Sequence, residues 1–169
     1  MKRVAVVGSA GAGKTTFARE LARRTGLPVV HLDHLYWRSR WAETPGDEWR
    51  EVQDEQLTTD EWIVDGNYAS TFDIRFQRAD TIIVLAPSKW RCLSRVLKRT
   101  LANHGRSVQA PECPERIDLK FWKWVWRYQK DSRPILDVAI REHGAASKVV
   151  ELRTSRDVAH FLESVSSEI

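Results

Sequence analysis

Eight residues near the N-terminus, Gly8-Ser9-Ala10-Gly11-Ala12-Gly13-Lys14-Thr15, carry the clearest chemical signal in the chain. Their spacing fits G-x-x-x-x-G-K-[ST], the pattern of a loop that cradles polyphosphate. Gly8, Gly11 and Gly13 permit a tight turn, so that backbone N–H groups point inward at phosphate oxygens. A helix beginning where the loop ends would add its free N–H groups and partial positive charge. Lys14 is expected to neutralise charge on the β- and γ-phosphates, and the Thr15 hydroxyl to ligate Mg²⁺. Thr16 adds a contact to the α-phosphate. The cofactors this predicts are ATP and Mg²⁺.

Two carboxylates belong with that loop. Asp33 is expected to end a strand in His31-Leu32-Asp33-His34, and Asp65 another in Ile63-Val64-Asp65-Gly66-Asn67. Ligands of open α/β sheets bind at the carboxyl ends of strands, so both acids stand at the right edge. Asp65 suits a Mg²⁺-water ligand and Asp33 an acceptor, either binding its hydroxyl or taking its proton. The bland alternative is turn chemistry, because Asp is common where strands end. His31 and His34 lack the Cys or carboxylate neighbours of a zinc site, and His104 with Cys113 is equally sparse. Mg²⁺ carried by nucleotide is the single metal expected.

The elements that position these groups are legible from the pattern. Val4–Val7 is a short β-branched run of the kind buried on both faces. A helix is expected over 15–25, with an apolar face of Phe17, Ala18, Leu21 and Ala22 and a stop at Gly26. Val29–Leu32, Trp62–Val64, Thr81–Leu85 and Lys148–Leu152 read as further strands. Thr44-Pro45-Gly46-Asp47 reads as the start of a helix running to about Thr58. Strands alternating with helices argue for an α/β layer structure with a mainly parallel sheet.

The chain has 169 residues, enough for one domain with a sizeable core, and a net charge of +4. That charge is unevenly spread. Residues 88–133 hold twelve Lys and Arg against four acids, a sum of +8, so the other segments sum to −4. Such a block suggests an anionic partner, either nucleotide phosphates or a nucleic-acid backbone; a solvated helix face is the alternative. No apolar run approaches the roughly 18–20 residues that cross a bilayer, and Gly8 interrupts the first one. A cytoplasmic protein without membrane partners is expected, with Cys92 and Cys113 as free thiols.

No Asn-Lys-x-Asp segment for guanine is present, and Asp65 is followed by Gly rather than a water-activating Glu. These absences disfavour GTPase switches and motor ATPases, leaving a small-molecule kinase. The chain resembles the adenylate-kinase-like P-loop kinases, and within them the family described as DNA topology modulation (FlaR-related) proteins. The likeness rests on Val6-Val-Gly-Ser-Ala-Gly-Ala-Gly-Lys-Thr-Thr16, His31-Leu-Asp33 with Trp37 and Trp41, and Trp62-Ile-Val-Asp-Gly-Asn-Tyr68. Arg78-Ala-Asp-Thr-Ile-Ile83, Arg95-Val-Leu-Lys-Arg99, Cys113-Pro-Glu115, Phe121-Trp-Lys-Trp124 and Leu152-Arg-Thr-Ser-Arg156 extend it over nearly the whole chain.

This resemblance implies a three-layer α/β/α P-loop NTPase fold with five strands in the order 2-3-1-4-5. It implies one kinase-like domain over residues 1–169, with a helical lid or irregular insertion at about 104–117 inside the basic region 88–133. Arg95 and Arg99, an i, i+4 pair on one helix face, would clamp the triphosphate from the lid. Arg106 and Arg133 are weaker candidates. The Leu152–Arg156 loop would lie beside the adenine, bringing Arg156 to the nucleotide, unless Ser155 is simply a helix cap. Asn67 stands where adenylate kinases continue Asp-Gly with Phe-Pro-Arg, which leaves an AMP acceptor unsupported.

Phe121–Tyr128 interleaves aromatics with Lys and Arg. Length favours a helix over Leu119–Ser132, packed on the core with some Trp side chains lining an acceptor pocket. The alternative use is stacking on nucleic-acid bases. The reaction expected is transfer of the ATP γ-phosphate to a small acceptor by Lys14, Asp33, Asp65, Arg95 and Arg99. A nucleic-acid-binding NTPase or regulator of DNA topology is the less favoured alternative.

Overall fold

The computed structural model describes residues 1–166. Five parallel strands form its main sheet: β1 (Arg3–Gly8), β2 (Val29–His31), β5 (Trp62–Asp65), β6 (Thr81–Leu85) and β7 (Lys148–Leu152). They lie in the order β2-β5-β1-β6-β7, which is the 2-3-1-4-5 arrangement of the five expected strands. A second, two-stranded antiparallel sheet pairs β3 (Trp37–Arg38) with β4 (Ala42–Glu43). That hairpin is too short to leave a periodic signal.

Alternation along β1 builds the layers. Val4 and Val6 point into one core with Phe17 and Leu21 of α1 (Lys14–Thr25), Val125 of α6 (Leu119–Asp131) and Leu162 of α8 (Ser155–Ser166). Ala5 and Val7 point into the other, with Trp49 of α3 (Gly46–Gln56), Phe76 of α4 (Phe72–Arg78) and Leu136 of α7 (Arg133–His143). Strands covered on both faces need apolar residues at every position, which is why they read as continuous runs. α1 leaves β1 on one face and α4 follows β5 on the other. The adjacent ends of β1 and β5 therefore frame a crevice at the carboxyl edge of the sheet.

Several boundaries differ from the sequence expectation. The second strand ends at His31, and Leu32 opens a short helix, α2 (Leu32–Tyr36), so Asp33 stands one step past the strand. Thr44 does not cap α3; its hydroxyl donates to Tyr36 O at 2.7 Å, and Pro45 holds the cap position. Thr154, not Ser155, caps α8. Its Oγ1 accepts the Asp157 N–H at 3.1 Å, while Asp157 accepts the N–H groups of Arg153 and Thr154, both at 2.9 Å. The aromatic segment forms a helix as expected, with Val125 and Tyr128 buried. Between α5 (Lys89–Ala102) and α6, residues 103–118 connect without regular structure beyond one bridge, His104 to Glu115.

Candidate functional site

The glycine loop emerges from β1 and wraps the first turn of α1. Gly8, Gly11 and Gly13 have φ of 145°, 74° and 99°, backbone that side chains resist. Gly11 is further fixed by packing, since a Cβ there would lie 2.4 Å from the Cys92 carbonyl oxygen of α5. The Ala12 N–H closes the turn on Ser9 O at 3.1 Å. Lys14 folds back over the loop, donating to Gly8 O at 3.0 Å and Ser9 O at 3.1 Å. Burial lowers its pKa, with the nearby charges of Asp33 and Asp65 acting in opposition. Lys14 and the two predicted carboxylates thus share one electrostatic environment. Thr15 follows in the first turn of α1, half-buried, and Thr16 is exposed.

Asp65 is 4% exposed and paired in register with Val6 and His31. Its Oδ1 is 3.0 Å from His31 Nδ1, and its buried Oδ2 has no partner. A buried carboxylate oxygen without a donor is costly unless a cation or ordered water meets it. With the Thr15 hydroxyl near the loop, the donor set is hard oxygen, which fits Mg²⁺. Asp33, half-buried, accepts the Tyr68 O–H on Oδ1 at 2.6 Å. Burial and the Asp33 carboxylate keep the Tyr68 hydroxyl protonated well above its ordinary range.

Sequence reasoning missed the residues that hold this edge together. Asn67 Oδ1 accepts the Gly8 N–H at 3.0 Å, tying the loop after β5 to the glycine loop. Arg75, fully buried, donates to the carbonyls of Gly66 at 2.8 Å and Tyr68 at 3.1 Å, and also to that of Asn67. Its guanidinium lies over Phe72, 5.0 Å from the ring centroid, and burial pulls its pKa down to about 9. Tyr68 is held at φ 39°, a left-handed value unusual for a ring-bearing side chain. In sequence Arg75 is one of two arginines in a short mixed segment, Phe72–Arg78, where arginine is more often a surface residue.

The arginines divide. Arg95 Nη1 lies against the glycine loop, 3.3 Å from both Gly11 O and Ala12 O. Arg99 instead sits 2.9 Å from Glu115, a buried acid of the 103–118 connection. Arg133 pairs with Asp137 at 2.7 Å and Glu151 at 2.8 Å, a structural role that removes it as a phosphate contact. Beside Gly13 and Thr16 opens a cavity of about 460 Å³, walled by Phe17, Leu85, Leu152 and Val158 and edged by Arg91 and Arg95. Arg153, Thr154 and Ser155 line it too, so the segment after β7 does meet the cavity. Arg156, predicted there, instead lines a separate depression with His160 and Glu163. Two residues past the cap, about half a helical turn, carry it around α8 and away from the loop.

The aromatics of α6 have packing partners. Phe121 and Trp122 pack on the core beside α1, Trp126 stacks edge-on with Trp90 at 4.6 Å, and Lys89 Nζ lies 4.0 Å over the Trp126 ring. Tyr128 reaches the Asn67 side chain, and burial raises its pKa to about 12. Cys92 and Cys113 are both free and buried.

A model of the isopentenyl transferase family matches residues 1–69, a span from β1 through Asp65 to Asn67 but short of half the chain. Among solved structures the fold matches a candidate kinase from Chloroflexus aurantiacus. The two chains are covered over 100% of their lengths, with a TM-score of 0.55 and 16% identity. No curated protein matches the sequence. Among the described residues, no helix is long and apolar enough to cross a membrane.

Proposed function

We propose that this chain is an ATP-dependent phosphotransferase that moves the γ-phosphoryl group of ATP·Mg²⁺ to a hydroxyl of a small acceptor. The observation that carries the reading is that the Asn67 side chain accepts the Gly8 N–H, which brings Asp65, with its unpartnered buried Oδ2, to the edge of a glycine loop that Lys14 folds over and α5 packs against at Gly11. Amides of residues 8–15 surround the phosphates, and Lys14 exchanges its two carbonyl contacts for phosphate oxygens. Thr15 and Asp65, through the unpartnered Oδ2, would hold the metal and its water. Mg²⁺ held by these residues would supply charge neutralisation for the transferring phosphoryl group.

Asp33 accepts the proton of the acceptor hydroxyl as its oxygen attacks the γ-phosphorus and the bond to the β-phosphate oxygen breaks. ADP and a phosphorylated acceptor leave. Arg95 steadies charge on the transferring group. Arg99 joins it on release from Glu115, as residues 103–118 close as a lid and exclude water. The cavity beside Gly13 has the size and apolar walls of a base pocket, which favours a nucleotide over a bare diphosphate.

The resemblance to the DNA topology modulation family names a genetic effect rather than an acceptor, and all the rings of α6 except the exposed Trp124 are at least partly buried, which weighs against base stacking. A second reading follows from the family model on residues 1–69: the same loop could seat an organic diphosphate whose carbon chain is transferred. Products separate the two. An assay for ADP over hydroxylated metabolites, with Lys14→Ala as control, should show acceptor-dependent release. With a prenyl diphosphate added as donor, inorganic diphosphate released only in its presence and without ADP would establish carbon transfer instead. DNA-stimulated ADP release with no small acceptor would return the regulator reading.

A further inference from the structure

The segments on either side of the glycine loop differ in net charge. Residues 88–133, on the donor side, sum to +8, whereas residues 28–80 hold five Arg and no Lys against twelve acids, a sum of −7. Four of those five guanidiniums are engaged within the protein. Arg75 is buried under three carbonyls, Arg38 pairs with Glu48, Arg50 with Asp73 at 2.7 Å and Arg78 with Asp54 at 2.9 Å. The fifth, Arg40, lies at the exposed tip of the β3–β4 hairpin.

The side chains gathered around Asp33 are aromatic. Asp33 gives one oxygen to Tyr68 and keeps a second. Tyr68 links it to a run of rings, with Tyr36 at 4.5 Å from Tyr68, Trp37 at 4.9 Å from Tyr36 and Trp41 at 5.3 Å from Trp37. Tyr36, Trp37 and Trp41 are partly exposed, so their faces are not consumed by the core.

We propose that the acceptor is an unphosphorylated, uncharged hydroxy compound with a flat ring, of the nucleoside class, selected against its own monophosphate. As a statement about transfer this rests on the phosphotransferase reading; as a statement about binding it does not. A flat ring stacks on Trp37 or Tyr36, and a hydroxyl donates to the open oxygen of Asp33. A phosphate dianion on the same molecule would meet Asp33 and Asp65 with no guanidinium fork to receive it. Discrimination of this kind comes from the repulsive element as much as from the attractive one.

Tryptophan fluorescence of the full chain, saturated with a non-hydrolysable ATP analogue and Mg²⁺, provides the test. Adenosine, guanosine, cytidine and thymidine are titrated beside their 5′-monophosphates, and each is also offered with ATP in a transfer assay. At least one nucleoside should bind about tenfold or more tighter than its monophosphate. Asp33→Asn should narrow that ratio several-fold, an effect that mere loss of packing would not produce. Trp37→Ala should weaken nucleoside and monophosphate alike, and Arg40→Ala should change neither.

Tighter binding of a monophosphate, or no nucleoside binding at millimolar concentration, overturns the assignment. Transfer to a monophosphate overturns it while leaving phosphotransfer intact. Selective nucleoside binding without any transfer keeps the site and removes the phosphotransferase reading.

Discussion

The indole N–H of Trp41 donates to the Pro114 carbonyl at 2.9 Å, joining segments 73 residues apart in the chain. Two further bonds accompany it, Arg40 N–H to Glu112 O at 3.0 Å and the Cys113 thiol to Arg38 O at 3.2 Å. Arg40, Trp41 and Glu112 all have left-handed backbone, φ of 58°, 63° and 56°. Non-glycine residues adopt that conformation at a cost of roughly 1 kcal/mol or more each, and hold it only where the surroundings demand it. The acceptor-side hairpin and the proposed lid are therefore fastened at a strained junction.

Trp41→Phe keeps a ring against Trp37 and deletes only the N–H donor. Amide exchange across residues 104–116 should accelerate several-fold, while global stability falls by no more than about 1 kcal/mol, the worth of one hydrogen bond. Unchanged exchange in that segment would show that the bond fastens nothing.

Arg75 offers a sharper stability test. Replacing it by Met of similar length leaves the carbonyls of Gly66, Asn67 and Tyr68 without their shared donor. Urea unfolding should give a loss of about 2–4 kcal/mol, because buried acceptors are stranded and Tyr68 loses what holds it at φ 39°. Arg75→Lys should recover little, since one ammonium cannot fork to three oxygens. Near-native stability of either variant would remove Arg75 from its assigned role.

These two cases mark the limit of what the sequence reveals. The glycine loop, its Lys14 and the strand-end Asp65 are local in chain and obey fixed spacing, so they could be read directly. The sheet order came through resemblance and matches the strand register. Arg75, the hairpin and its bonds to residues 112–114 depend on partners far along the chain, for which no local pattern exists. Arg99 is paired with Glu115, and Arg156 lies away from the cavity beside Gly13, for a related reason. A helical period says which residues share a face, but not that Glu115 returns to claim one or that Thr154 caps the turn before the other.

Asn67 joins the two functional loops through a single bond to the Gly8 N–H. Asn67→Ala should weaken ATP·Mg²⁺ binding about fivefold by calorimetry, roughly 1 kcal/mol, with the fold intact. Gly11→Ala should do more, since its Cβ would lie 2.4 Å from the Cys92 carbonyl and force the loop off α5. Binding lost in Gly11→Ala with the Asn67 variant like wild type would locate loop control entirely in α5.

Acid should unfold the protein through a defined set of carboxylates. Hydrogen bonds from Arg23 and then Arg24 hold Glu20 down to about 2, below its ordinary 4.5. Arg133 lowers Glu151, Arg50 lowers Asp73, and the Thr154 N–H lowers Asp157. Groups whose folded pKa is depressed bind more protons when unfolded, so their contribution is complete above about pH 4.5 and is lost as pH falls toward 2. Thermal midpoints should be flat from pH 7 to 5 and drop steeply below 4.5. Glu151→Gln should flatten part of that drop, because Arg133 then has no titrating partner across to β7. An acid limb that is identical in wild type and Glu151→Gln would mean that the Arg133–Glu151 pair contributes nothing to folding, and that the docking of α7 on β7 depends on packing alone.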